Sequence, residues 1–432
     1  MPREAILPPE ISQQFLQAFE AVAGSPSIPD WYLNLPKEPC PISEAERMQG
    51  LATIWAQARA SFAFWAELPA ELDWDAEFRR FLPLVAAAAD PADYYRLLRC
   101  FIALLREGHS YIMQPPWIDN RVRPALAIYP VEGQPVVIRG NALPIGTVIT
   151  SVDDTPVEAM LPGLLKLACA APEHSRLTQA MGALLEGPRG TQVRVGARRP
   201  DGTESTVTVT RDGALAPVAL CEREDLPGGA TVVRIGAWHP ETVVDLFNEA
   251  FPHFEGVRGL IIDLRRNGGG NSAFGDAVLA RLIDEPVEGR GVSYHPLHWG
   301  SMQGLGQGAP VLTEHWKPVA PDLARPRFAG PVAVLTGMQT VSAGEDFAAA
   351  FRLADRGPLV GELTAGSTGT PAIFPLPGGG VGAVSSTRCA YRGRAAFQGR
   401  GLAPDVPVAP TIAGLAAGRD EVLEAALAAL NT

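Results

Sequence analysis

Between residues 230 and 410, apolar runs of strand length alternate with stretches of helical spacing. The runs are 230–235, 259–264, 332–335 and 359–361, and the helical stretches are 242–251, 272–283 and 343–354. Strands buried on both faces read as continuous apolar runs, and a helix between two strands is the crossover that parallel neighbours need. This alternation predicts an α/β core with a mostly parallel sheet. With 47% hydrophobic and 19% charged residues, the chain can fill such a core, which excludes global disorder.

The flanking regions have other rhythms. Residues 1–45 read as an N-terminal extension, with helical spacing over 10–22 and a Pro-rich stretch over 25–41. Residues 46–115 read as a helical domain. Ser43 precedes a periodic run with Leu51, Trp55 and Phe62, and Pro91 opens a helix carrying Tyr94, Leu98 and Phe101. These aromatics read as core. Gly108 is the expected helix stop, which makes His109 the first residue of a loop. Residues 116–222 form an α+β module, with short strands, a helical stretch over 162–185 and a hairpin turning at 199–202. Residues 223–412 hold the α/β core, including a hairpin over 374–387. A C-terminal helix over 413–432 presents Val422, Leu423, Ala426, Leu427 and Leu430.

Composition narrows the function. The net charge of −11 is scattered, which argues against nucleic acid as a partner. The five cysteines are far apart and form no Cys-x-x-Cys, so neither a zinc site nor a disulfide framework is expected, and no metal or cofactor is called for. No apolar run of membrane-spanning length occurs, and the N-terminus lacks a signal-like apolar segment. A reducing cytoplasm is the expectation, with export after removal of a signal peptide as the alternative. Oligomeric state is not legible.

Two stretches carry chemical interest. In 336–346, Ser342 falls where a strand becomes a helix. Helix N-terminal N–H groups favour negative charge, and the Ala343 N–H is placed to meet an acyl-transfer oxyanion. The same residues, Ser342 and Glu345, also spell a helix capping box. In 261–270, a strand ends in Gly268, Gly269 and Gly270, a turn whose N–H groups can face an anion. A dinucleotide fingerprint fits poorly there, because Arg265, Arg266 and Asn267 separate strand from glycines and no acid closes a following strand. Two further glycine-rich stretches, 361–370 and 397–406, each read alone as turns.

Together, in this order and spacing, the four stretches resemble the tail-specific (C-terminal-processing) serine peptidases, a family that includes the tricorn core protease and retinoid-binding modules. The resemblance implies a crotonase-like α/β protease core behind an N-terminal helical bundle. It implies Ser342 as nucleophile, with oxyanion donors from Ala343 and from Gly269 or Gly268. The lysine base of the processing branch is missing, since Ser367 holds its place. The tricorn-like branch uses a histidine after an acid, and Glu107-Gly108-His109 resembles that segment. Where that branch has a glutamate to orient the imidazole, this chain has Gln398, with Glu345 or Glu107 as possible support. Residues 145–157 and 190–195 resemble a PDZ-like domain, for which peptide-tail binding and a purely structural role are both open. The implied activity is hydrolysis of peptide or protein substrates through an acyl-enzyme. The alternatives are a weak or inactive member that binds peptides or small ligands, and a relative that transfers the acyl group elsewhere.

Overall fold

The computed structural model describes residues 5–6, 8–14, 34–118, 121–213, 215–288, 291–296, 310–392 and 397–430. The expected helix over 10–22 and the Pro-rich stretch over 25–41 lie largely outside the described residues. The chain divides into two compact units, both discontinuous in sequence. One comprises 1–120, 291–316 and 369–390, and the other 121–290, 317–368 and 391–432.

The second unit holds the alternating region. Its sheet has six strands in chain order: β1 (Cys221–Asp225), β2 (Ala230–Ile235), β3 (Gly259–Asp263), β4 (Val332–Thr336), β5 (Leu359–Gly361) and β6 (Val406–Pro407). β1 is antiparallel to β2, and every later pair is parallel. β3 and β4 are buried at every residue, as a sheet covered on both faces requires. The helix after β4, α1 (Ala343–Leu353), is buried from Ala343 through Phe351. On one face of the sheet, Val232, Ile261, Ala333, Leu335 and Val360 pack against Val422 and Ala426 of the C-terminal helix α2 (Glu421–Ala429).

The module in this unit pairs the strands Leu126–Val131, Gln134–Gly140, Val148–Val152, Gln192–Arg198 and Glu204–Thr210 in a sheet around an apolar core. Its hairpin turns at 199–202 as expected, with Gln192–Arg198 against Glu204–Thr210. The single helical stretch expected over 162–185 is corrected to two helices, Val157–Leu165 and Glu173–Gly182. Pro162 is accommodated inside the first. Pro172 forms the N-cap of the second, where its missing N–H and its restriction on Ala171 break the run.

In the first unit, three helices, Glu44–Ser61, Trp74–Ala86 and Pro91–Ile102, are capped by Ser43, Asp73 and Asp90, each accepting an N–H from its own first turn. Trp74 stacks on Phe101 with ring centres 4.2 Å apart. Gly108 is not the helix stop. The helix ends at Ile102, a tight turn covers Ala103–Leu105, and Arg106 takes the left-handed conformation (φ 46°, ψ 47°) that reverses the chain. The hairpin Pro371–Leu376 and Gly380–Ser385 also lies in this unit, where Tyr111–Met113 adds a third antiparallel strand.

Candidate active site

Ser342 follows β4 and directly precedes α1. Its Glu345 capping partner is present, and the Ser342 N–H is shared between the Ser367 carbonyl (2.8 Å) and Glu345 Oε2 (3.2 Å). Capping alone does not account for the backbone. An N-cap residue is extended, as Ser43 (φ −65°, ψ 161°) and Asp90 (φ −154°, ψ 174°) are here. Ser342 instead has φ 56° and ψ −122°. A non-glycine residue in that region stores strain that only a well-determined surrounding can hold. A sharp, strained strand-to-helix turn of this kind presents a nucleophilic serine in other α/β folds.

The surroundings do determine it. Asn267 is fully buried, its carbonyl accepts the Val341 N–H (3.0 Å), and its side-chain amide donates to the Ile235 carbonyl (3.1 Å). Thr340 Oγ1 donates to the Leu264 carbonyl at 2.8 Å. The loops after β3 and β4 are thereby tied together. Gly269, at φ 94°, presses on the serine: a Cβ at this position would lie 2.8 Å from Ser342 Cβ and 3.4 Å from Ser342 Oγ. Of the predicted oxyanion donors, the Ala343 N–H has no hydrogen-bond acceptor among the described residues. The Gly268 N–H donates to the Gly236 carbonyl (3.2 Å), and the Gly269 N–H to Asn267 Oδ1 (3.0 Å).

Glu345 has no exposed surface. Its Oε1 accepts from the Thr364 hydroxyl and the Gly366 N–H (2.7 Å), and its Oε2 from the Ser342 and Ser367 N–H groups, the latter at 2.9 Å. Burial pushes its pKa up to about 8, against these four donors, which pull it down. A carboxylate offers about four acceptor positions, so Glu345 holds the loop around Ser342 and has none left for an imidazole. Its neighbour Asp346 accepts from Ser272 Oγ (2.6 Å), Thr368 Oγ1 (2.7 Å) and the Tyr391 hydroxyl.

The two loops around Ser342 are also held from the module. Tyr129 donates its hydroxyl to Glu362 Oε2 (2.8 Å) and accepts the Met338 N–H (3.1 Å). From the helix Glu173–Gly182, Ser175 Oγ donates to the Ala365 carbonyl (2.8 Å), and His174 Nε2 lies 2.8 Å from the Thr364 carbonyl oxygen. Gln398 donates its side-chain amide to the Thr368 carbonyl.

His109 belongs to the first unit. Its N–H donates to Glu107 Oε2 (2.7 Å), and its Nδ1 lies 4.0 Å from Glu107 Oε1, with both side chains mostly buried. The segment is anchored by Ser110, whose buried hydroxyl oxygen accepts the Ser385 N–H (3.0 Å), just before the strand Tyr111–Met113 joins its sheet.

This geometry lies within a region of known type. Residues 230–408 match the profile of peptidase family S41. The chain is 26% identical over 400 residues to tricorn protease homolog 2 of Streptomyces coelicolor, a match covering 84% of this chain and 30% of that protein. It is 26% identical over 244 residues to the chloroplastic C-terminal processing peptidase of Tetradesmus obliquus, covering 53% of this chain and 48% of the relative. The chain therefore spans less than half the length of either relative. The structure of mature CPAF complexed with lactacystin superposes with a TM-score of 0.68 at 14% identity, over 90% of this chain and 98% of that one, which speaks to the α/β fold alone. Among the described residues, no helix is long and apolar enough to cross a membrane.

The surroundings of Ser342 include positions that the sequence alone does not single out. Asn267 was visible only as one letter of a motif. Asp346 has a physical signal: a carboxylate in a helix whose other residues are mostly Ala and Phe is expected to be buried, and a buried carboxylate must be bonded. Tyr129, His174 and Ser175 act through contacts more than 150 residues away in sequence and had no local signal.

Proposed function

We propose that this chain is a serine peptidase that works through an acyl-enzyme. Ser342 Oγ attacks the scissile carbonyl carbon while His109 takes its proton. The tetrahedral oxyanion is held by the Ala343 N–H and by an N–H of the glycine turn, Gly269 or Gly268, which must first release Asn267 Oδ1 or the Gly236 carbonyl. Collapse of that intermediate breaks the C–N bond, and His109 returns the proton to the leaving amine. Water then attacks the Ser342 ester with His109 again as base, releasing the acid and restoring the hydroxyl. The observation that carries this reading is the Ser342 backbone at φ 56° and ψ −122°, which helix capping does not require.

Glu107 supports the base assignment. Its carboxylate lies 4.0 Å from His109 Nδ1, a position from which it can help hold the ring's orientation. Gln398 then acts on the site through the 364–368 loop rather than by charge. We read the core as crotonase-like and the module over 126–210 as PDZ-like. The strand order of the parallel sheet and the packing of the helix Glu173–Gly182 on Leu126–Val131 support these readings. The substrate class is peptide or protein.

A fluorophosphonate probe should label the wild-type chain at Ser342, and Ser342→Ala should abolish both labelling and peptide hydrolysis. His109→Ala should lower the hydrolysis rate at least 100-fold. Unchanged hydrolysis in either variant defeats the assignment. A folded wild-type chain that neither hydrolyses nor takes the probe supports the binding-only reading, which the uncharged Gln398 favours.

A further inference from the structure

A cavity of about 600 Å³ opens at the carboxyl ends of the parallel strands. Its wall includes Gly236 past β2, Arg265 and Arg266 past β3, Gln339 past β4 and Glu362 past β5. In open α/β sheets this is the edge where ligands bind, and the volume suits a small molecule. The module closes the other side with Ile138, Arg139 and Ile145. Ile145 and Val218, which also lines the cavity, each leave 43% of their surface exposed, so apolar wall faces the opening.

Most charges around the cavity are already matched. Arg265 pairs with Asp263 (2.7 Å) and Asp420 (2.8 Å), and Arg234 pairs with Glu224. Glu421 accepts the Thr411 N–H, Glu362 accepts the Tyr129 hydroxyl, and Arg419 pairs with Glu424. Glu222 faces Arg234 across the β1–β2 register. Two guanidinium groups are left over. Arg266 has no hydrogen bond or ion pair among the described residues. Arg139 donates one bond to the Ala216 carbonyl (2.8 Å), and its buried Nε has no partner among the described residues. Burial, then the charges of Arg139 and Arg265, hold the Arg266 pKa below its ordinary value, with the nearby Asp263 carboxylate opposing them only in part.

We infer that this cavity binds a small organic carboxylate on an apolar body, its carboxylate held by Arg139 and Arg266 and its apolar part against Ile138, Ile145 and Val218. Guanidinium forks suit a carboxylate, and the apolar wall distinguishes the ligand from a bare inorganic anion.

Calorimetric titration of the full 432-residue chain with octanoate tests this. One site per chain is expected, weakened at least tenfold by Arg266→Gln and by Arg139→Gln. Octanol and inorganic phosphate should each bind at least tenfold more weakly than octanoate. Ile145→Asp, at an exposed position, should remove octanoate binding while leaving the thermal midpoint unchanged. The inference is overturned if wild-type chain does not bind octanoate, if both arginine variants bind it as wild type does, or if octanol or phosphate binds equally well. The readout is heat of binding, so it stands apart from whether Ser342 hydrolyses anything.

Discussion

Replacing Glu345 by Gln separates two effects that oppose each other at the heart of the site. Burial favours the neutral acid, while four donors favour the carboxylate. With a folded pKa of about 8 against an ordinary 4.5, the folded state binds a proton that the unfolded state has released anywhere between those values. Stability from this group is therefore full below about pH 4.5 and is lost as pH rises to about 8. At ~1.4 kcal/mol per pH unit, the loss reaches about 5 kcal/mol. The Glu345→Gln side chain does not titrate, so it carries no such dependence. Its amide oxygen can keep the Ser342 and Ser367 N–H groups, and its NH2 can donate to Thr364 Oγ1. The Gly366 N–H is then unmet and the Thr364 hydroxyl proton must turn to another acceptor, which together cost about 1–3 kcal/mol at every pH. Glu345→Gln should thus be less stable than wild type by that amount at pH 4.5 and should overtake it by pH 8. Parallel urea titrations of the two chains at half-unit pH steps measure the difference, with contributions of other groups cancelling. A difference that stays constant across the window means that Glu345 is ionised throughout, and that the four donors outweigh burial.

Further outcomes follow from the same contacts. Gly269→Ala places a Cβ against Ser342 at a φ that side chains resist. It should lower stability by about 1–3 kcal/mol and reduce kcat/KM for peptide hydrolysis at least tenfold, read by unfolding and by initial rates. Tyr129→Phe removes the acceptor of the Met338 N–H and the donor to half-buried Glu362. It should lower unfolding free energy by about 1–3 kcal/mol, and an unchanged urea midpoint would remove the module from the support of the loop around Ser342.

What was legible in this sequence was what neighbouring residues decide. The apolar runs at 230–235 and 332–335 became strands because nothing but a covered sheet can bury such runs on both faces. Ser43 became a cap because it stands before a run of helical spacing with a first-turn N–H in reach. Local pattern misled where several residues share one task. Gly108 is the residue type that usually ends a helix, yet Arg106 adopts the left-handed turn three residues after the last 3₁₀ turn begins. The helical propensity over 162–185 was real, but Pro172 outweighed it. The hairpin over 374–387 was readable as a hairpin, while its partner strand Tyr111–Met113, some 270 residues earlier in the chain, was not.

The strain at Ser342 shows why the site is harder to read than the fold. Nothing in Val341-Ser342-Ala343 specifies φ 56°. On its own, Ser before Ala-Gly-Glu favours the extended backbone of an ordinary cap. The conformation is imposed from outside, by the Asn267 carbonyl on Val341, the Ser367 carbonyl on the Ser342 N–H and the Glu345 carboxylate beneath it. Each contact is an ordinary hydrogen bond of about 1 kcal/mol net, while the strain is about 1–3 kcal/mol. No single contact can hold it, but three acting together can. Weakening any one should therefore relax Ser342 toward the extended cap before the fold itself is lost. Asn267→Ala keeps the backbone carbonyl but removes the side-chain bonds to the Ile235 carbonyl and the Gly269 N–H that fix where that carbonyl sits, and should abolish fluorophosphonate labelling while the far-ultraviolet circular dichroism stays that of the wild type. Retained labelling in that variant would mean that the serine does not depend on this support.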